Sequence, residues 1–170
     1  MLKKCIILFL VLVLSLALCA CKSDEVGAFG QKIMNEVDNS LSADSEGEVV
    51  INLSEIADFD WNKAIAFSTD IMSWELTEAL GFEYSKPKNF GDGLVFFKDE
   101  EVVYQESYPH FSEHPHTFYL YLKPPNMHFH VIFPNDAEFN VRRFLYTKES
   151  FQKPDWCYCM QFEASPDEME

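Results

Sequence analysis

Positive charge is what this chain most lacks. Its 13 Lys and Arg face 28 Asp and Glu, a formal net charge of −15 with histidine neutral. A surface of that sign is repelled by phosphate backbones and by anionic lipid headgroups, which argues against nucleic-acid binding and against membrane attachment through a basic patch. Glycine is sparse as well. The six glycines build no phosphate-cradling loop, and neither a Gly-x-Ser-x-Gly elbow nor a His-Glu-x-x-His pair occurs. Of the five cysteines, Cys5, Cys19 and Cys21 fall at the extreme N-terminus, so Cys157 and Cys159 alone belong to the body of the protein, and a disulfide framework is excluded. No apolar run reaches the ~20 residues of a spanning helix. No internal repeat is present.

Aromatic residues, by contrast, are plentiful. Sixteen Phe, seven Tyr and three Trp mark a folded domain and not a disordered tail.

The first 21 residues carry an address. Lys3 and Lys4 precede a near-continuous apolar stretch over residues 6–18, and Leu18-Cys19-Ala20-Cys21 follows. Charge, length and ending are those of a secretory signal. The ending resembles the lipobox of bacterial lipoproteins, with Leu18 three positions before Cys21 and small Ala20 just before it. The resemblance implies cleavage after Ala20 and lipidation of Cys21. The mature chain then loses Lys3 and Lys4 and becomes two charges more negative. Membrane residence would rest on the lipid, since two or more acyl chains, at about 0.8 kcal/mol per buried CH₂, anchor firmly where one does not. The expected organisation is a signal peptide over residues 1–20, a lipidated tether over 21–25, a domain over 26–164 and an acidic tail over 165–170.

Within the domain, Val26, Phe29, Ile33, Val37 and Leu41 recur at helical spacing over residues 26–41 with Met34 beside them, a stripe weakened by Gly27 and Gly30. Strands are expected at 49–53 and 63–67, and a helix capped by Thr69 or Asp70 with Gly81 as its stop. A hairpin pairs 94–98 with 101–105 around Asp99-Glu100, and a second pairs 117–123 with 127–133 across Pro124-Pro125-Asn126. Further strands are expected at 144–147 and 156–162. Helices followed by a run of hairpins predict an α+β fold: a mainly antiparallel sheet with one or two helices on one face.

Asn52-Leu53-Ser54-Glu55-Ile56 with Asp58-Phe59-Asp60-Trp61-Asn62-Lys63 resembles a motif of small bacterial lipoproteins of unassigned function. In that group it is followed by a helix ending in Leu-Gly, here Leu80-Gly81, and by a Val- and Phe-rich hairpin, here 94–103. The resemblance covers about a third of the chain, residues 49–104, and implies no activity, cofactor or catalytic residue. Members of that group carry Gly in the hairpin turn where this chain has Asp99-Glu100-Glu101. Read physically, Asp58 and Asp60 bond the backbone of a turn while Phe59 and Trp61, two apart, pin it to the core.

All five histidines lie between His110 and His130. On a strand, His128 and His130 share one face. If Leu122 pairs with Met127, that face also carries Tyr119, Tyr121 and Lys123. Two readings follow: a contact surface centred on Tyr119 and Tyr121, or a zinc or copper site built from His128 and His130 with His114 or His116. Cys157 and Cys159 allow a strained, reducible pair or two inert buried thiols. The expected function is a lipid-anchored extracytoplasmic binding or envelope-associated module. Its alternative is a metal-binding lipoprotein. A hydrolase or redox enzyme ranks behind both.

Overall fold

Eight strands divide between two sheets in the computed structural model, which describes residues 26–108, 118–123, 127–146 and 155–163. In chain order the elements are α1 (Ala28–Ser40), β1 (Gly47–Asn52), α2 (Leu53–Ile56), β2 (Lys63–Phe67), α3 (Ser73–Leu80), β3 (Asp92–Lys98), β4 (Glu101–Tyr108), β5 (Phe118–Lys123), β6 (Phe129–Ile132), a 3₁₀ turn (Pro134–Asp136), β7 (Glu138–Tyr146) and β8 (Asp155–Glu163). One sheet has the order β1-β7-β8-β5 and the other β4-β3-β2-β6. Every pairing is antiparallel except β5 with β8. The fold is α+β, as the element order predicts.

The two sheets bury one face of each against the other. Ala64, Ala66, Leu94 and Phe96 from one sheet meet Phe118, Val141, Met160 and Phe162 from the other. Alternate residues of β2 and β3 point the opposite way. Ile65, Phe67, Val95 and Phe97 pack under α3 through Leu76 and Leu80. A fully buried side chain of this size stabilises the fold by about 1.5–3 kcal/mol. The central strands β2 and β3 are therefore covered on both faces, which is why 64–67 and 93–97 read as unbroken apolar runs.

Helix α1 closes one mouth of the sandwich with the stripe expected of it: Phe29, Ile33, Met34 and Val37 are buried. Its N-terminus has no cap from its own residues. Glu106 of β4 supplies one instead, accepting the N–H groups of Phe29 (2.9 Å) and Gly30 (3.0 Å). The glycines make this possible. A Cβ at Gly27 would lie 2.3 Å from the Glu106 carboxyl carbon, and one at Gly30 2.9 Å from its Oε1. They are places for a carboxylate and not simply weak points of the helix.

Two further expectations change. The second hairpin does not form. Strand β5 runs parallel to β8, Phe118 opposite Tyr158, and β6 joins β2 in the other sheet, Ala66 opposite His130. Both faces of β6 are covered, Phe129 and Val131 by the α3 cluster and Ile132 by the main core, so its apolar alternation does not reveal a solvent side. Helix α3 starts at Ser73 after Met72, whose N–H is taken by Glu75 Oε2 at 2.8 Å. Neither Thr69 nor Asp70 is its cap, because the helix begins later and its N-cap position is Met72; the Thr69 N–H instead donates to Asp92 Oδ1 at 2.8 Å. Gly81 does end the helix, in the left-handed region at φ 78°.

Candidate functional site

The first hairpin forms where expected, with Lys98 opposite Glu101. Its two-residue turn places Asp99 and Glu100 at φ 49° and 72°, a region that favours Asn and Gly. Asn62 holds the turn in place: its amide donates to Asp99 Oδ1 (2.9 Å), and its own Oδ1 accepts the Asp99 N–H (3.3 Å). Non-glycine residues in this conformation cost about 1–3 kcal/mol and persist where surrounding contacts fix them.

This turn forms one wall of an open cleft of about 570 Å³. Lys63, at the start of β2, stands in it. Strand order places Phe97 of β3 on one side of Lys63 and Phe133, which follows β6, on the other. Leu80, Gly81 and Phe82, at the end of α3, lie over it. The Lys63 ammonium donates to the Leu80 carbonyl at 2.7 Å and sits 5.3 Å from the Phe82 ring centre and 5.9 Å from that of Phe133. A cation over two ring faces at the carbonyl end of a helix is favourably placed. Phe133 is 47% exposed and forms part of the lip.

The motif of residues 52–63 contributes Asn62 and Lys63, the Leu80-Gly81 helix end contributes its carbonyl and the turn, and the hairpin contributes Phe97, Asp99 and Glu100. Three segments separated in sequence thus meet at one place. The remainder of the motif is structural. Phe59 stacks on Tyr104 (5.1 Å) and meets Phe96 edge-on, as does Trp61 (5.1 Å), so both aromatics pin the turn as expected. The two aspartates are exposed and pair with lysines, Asp58 with Lys32 (2.9 Å) and Asp60 with Lys98 (3.0 Å). The hydrogen bond and charge of Lys32 hold the Asp58 carboxyl below its usual range. Bonding to Asp60 raises the Lys98 ammonium.

The Tyr/His surface expected from the second hairpin is not assembled, because its strands lie in different sheets. His130 points into the sandwich, 5.8 Å from the Phe139 ring and 5.7 Å from that of Phe162. His128 is exposed just before β6. Tyr119 and Tyr121 are on the outer face of the other sheet, Tyr119 7% exposed against Phe144 and Tyr121 44% exposed. His114, His116 and Cys21 lie outside the described residues, as do residues 1–20. Among the described residues no three His, Cys, Asp or Glu side chains converge as a metal site, and no helix is long and apolar enough to cross a membrane.

Cys157 and Cys159 are both buried thiols, not joined in a disulfide. Burial pushes the Cys159 thiol up to about 11. That is the reverse of what a redox nucleophile requires.

Comparison with protein-family models, with curated proteins and with solved structures gives no match to this chain.

Proposed function

We propose that this chain is a lipid-anchored, extracytoplasmic binding module whose ligand site is the cleft around Lys63. One observation carries the reading: a ligand-sized concavity combines aromatic walls, a lysine with N–H groups to spare and a strained acidic turn braced from outside by Asn62. Its volume falls within the range of about 300–1,000 Å³ usual for small-molecule pockets. The anchor is supported by the lipobox-like ending at Cys21. The chain enters α1 beside Glu106, on the inner side of the β4-β3-β2-β6 sheet, whereas the cleft opens on that sheet's outer side at the hairpin turn.

Two measurements test the reading. Wild-type chain fractionates with membranes and yields an acylated N-terminal cysteine by mass spectrometry, whereas Cys21→Ser is released; equal membrane attachment of both forms contradicts the anchor. For the cleft, the small-molecule fraction of a cell-envelope extract raises the Tm of the mature chain in detergent micelles, since a ligand that binds only the native state stabilises it. Phe133→Ala abolishes the rise. An identical rise in Phe133→Ala, or none in wild type, contradicts the cleft.

A further inference from the structure

Taking the cleft as the binding site, its charges restrict what it accepts. Lys63 spends one ammonium N–H on the Leu80 carbonyl and two remain. Asp99 gives one carboxylate oxygen to the Asn62 amide, and Glu100 has no hydrogen-bond or ion-pair partner among the described residues. These carboxylates stand on the β3 side of Lys63, with Phe133 on the β6 side and Phe82 over the lysine.

A simple anion would satisfy Lys63 but meet two carboxylates. A simple cation would satisfy those and meet the ammonium. An uncharged apolar molecule would strip water from all three groups and return no hydrogen bond. A molecule with an ammonium, a carboxylate and an apolar body answers every group at once.

We propose that the cleft binds an amino-acid zwitterion with an apolar side chain, either a free amino acid or a short peptide. Its carboxylate pairs with Lys63, its ammonium with Asp99 and Glu100, and its side chain packs on Phe82 and reaches Phe133. Each charge pair is close to solvent, so each contributes modestly, while the aromatic contacts set the preference for an apolar side chain. The assignment rests on the proposed function above.

Calorimetric titration of the mature chain in detergent micelles tests it, using L-phenylalanine, L-leucyl-L-phenylalanine, and that dipeptide with either an N-acetyl or a C-amide cap. Saturable binding of an uncapped probe is expected, and each cap weakens binding by about tenfold or more, or about 1.4 kcal/mol. Preference for the dipeptide identifies a peptide ligand, and preference for phenylalanine a free amino acid. Glu100→Gln reduces the penalty of the acetyl cap, since Asp99 still faces the ammonium, and Lys63→Met removes that of the amide cap. The capped probes examine the same charges without altering the fold. Equal binding of capped and uncapped dipeptide overturns the zwitterion and leaves a binding cleft standing. Absence of binding by either uncapped probe overturns the zwitterion too, while the cleft itself is judged by the Phe133→Ala thermal comparison.

Discussion

Arg143 of β7 and Asp38 of α1 are joined by a 2.8 Å ion pair although 105 residues separate them in sequence. Arg143 is 2% exposed and distributes its other donors to the Ser42 and Ser45 carbonyls, with the guanidinium 4.6 Å from the centre of the Trp156 ring. Asp38 also accepts the Tyr158 hydroxyl at 2.5 Å. This group ties the last turn of α1 and the loop after it to the β1-β7-β8-β5 sheet. Asp38 is 45% exposed, so replacing Arg143 by Ala leaves a solvated carboxylate, and the loss of the guanidinium's hydrogen bonds and packing should cost about 1–3 kcal/mol. Arg143→Lys should recover little, because a single ammonium cannot reproduce the guanidinium fork. Urea unfolding of the three forms checks this, and a fully stable lysine variant would refute it.

Glu106 caps a helix from another element, and its replacement separates charge from shape. Glu106→Gln keeps the size but weakens the charge-assisted bonds to Phe29 and Gly30, and Glu106→Ala removes them. Losses of about 1 and about 2–3 kcal/mol are expected in that order. Gly30→Ala should also destabilise, although Ala normally favours a helix, because its Cβ would approach Val26 at 2.6 Å and Glu106 at 2.9 Å. A stabilised Gly30→Ala protein would show that the carboxylate moves aside freely.

The hairpin turn predicts a trade of stability against binding. Changing Asp99-Glu100 to Asn-Gly places residues that tolerate positive φ at both turn positions and should raise stability by about 1 kcal/mol. The same change removes both carboxylates from the cleft and should abolish the response to ligand. Retained ligand response in the stabilised variant would separate the turn from the site.

Alkaline pH should weaken the fold through Cys159. The folded thiol keeps its proton to about 11, whereas the unfolded reference lies at 9.0. Its contribution is complete below pH 9 and disappears as pH rises through 11, because the unfolded chain releases its proton first. The two-unit difference corresponds to about 2–3 kcal/mol. Stability measured from pH 8 to 11 should fall, and fall less in Cys159→Ala. Alkylation of the native thiol at pH 8 should be slow. Rapid native-state alkylation would contradict the burial that raises it.

Local pattern made several features legible. The apolar stripe of α1, the Asp99-Glu100 hairpin, Gly81 as helix stop and the pinning role of Phe59 and Trp61 all depend on neighbours within a few residues. Long-range choices were hidden. Nothing near β5 announces a parallel partner in β8, and β6 is apolar on both faces, so its register could not be read from alternation and the Tyr/His surface derived from it does not exist. His130 is a core-facing ring because Ala66, directly opposite, leaves room on that side of the sheet. Arg143 looks like an ordinary surface cation on an alternating strand until α1 is placed over it. The cleft draws on four segments, and its clues in sequence were a lysine opening the apolar strand 63–67 and a two-residue turn without glycine.

Residue-by-residue NMR mapping tests the central claim most directly. Isotope-labelled mature chain in detergent micelles is titrated with the small-molecule envelope fraction. Saturating shift changes are predicted at Asn62, Lys63, Gly81, Phe82, Asp99 and Phe133, with Val50 and Tyr121 unmoved. Changes centred on Tyr121 and the outer face of β5, with the Lys63 cleft silent, would contradict the account.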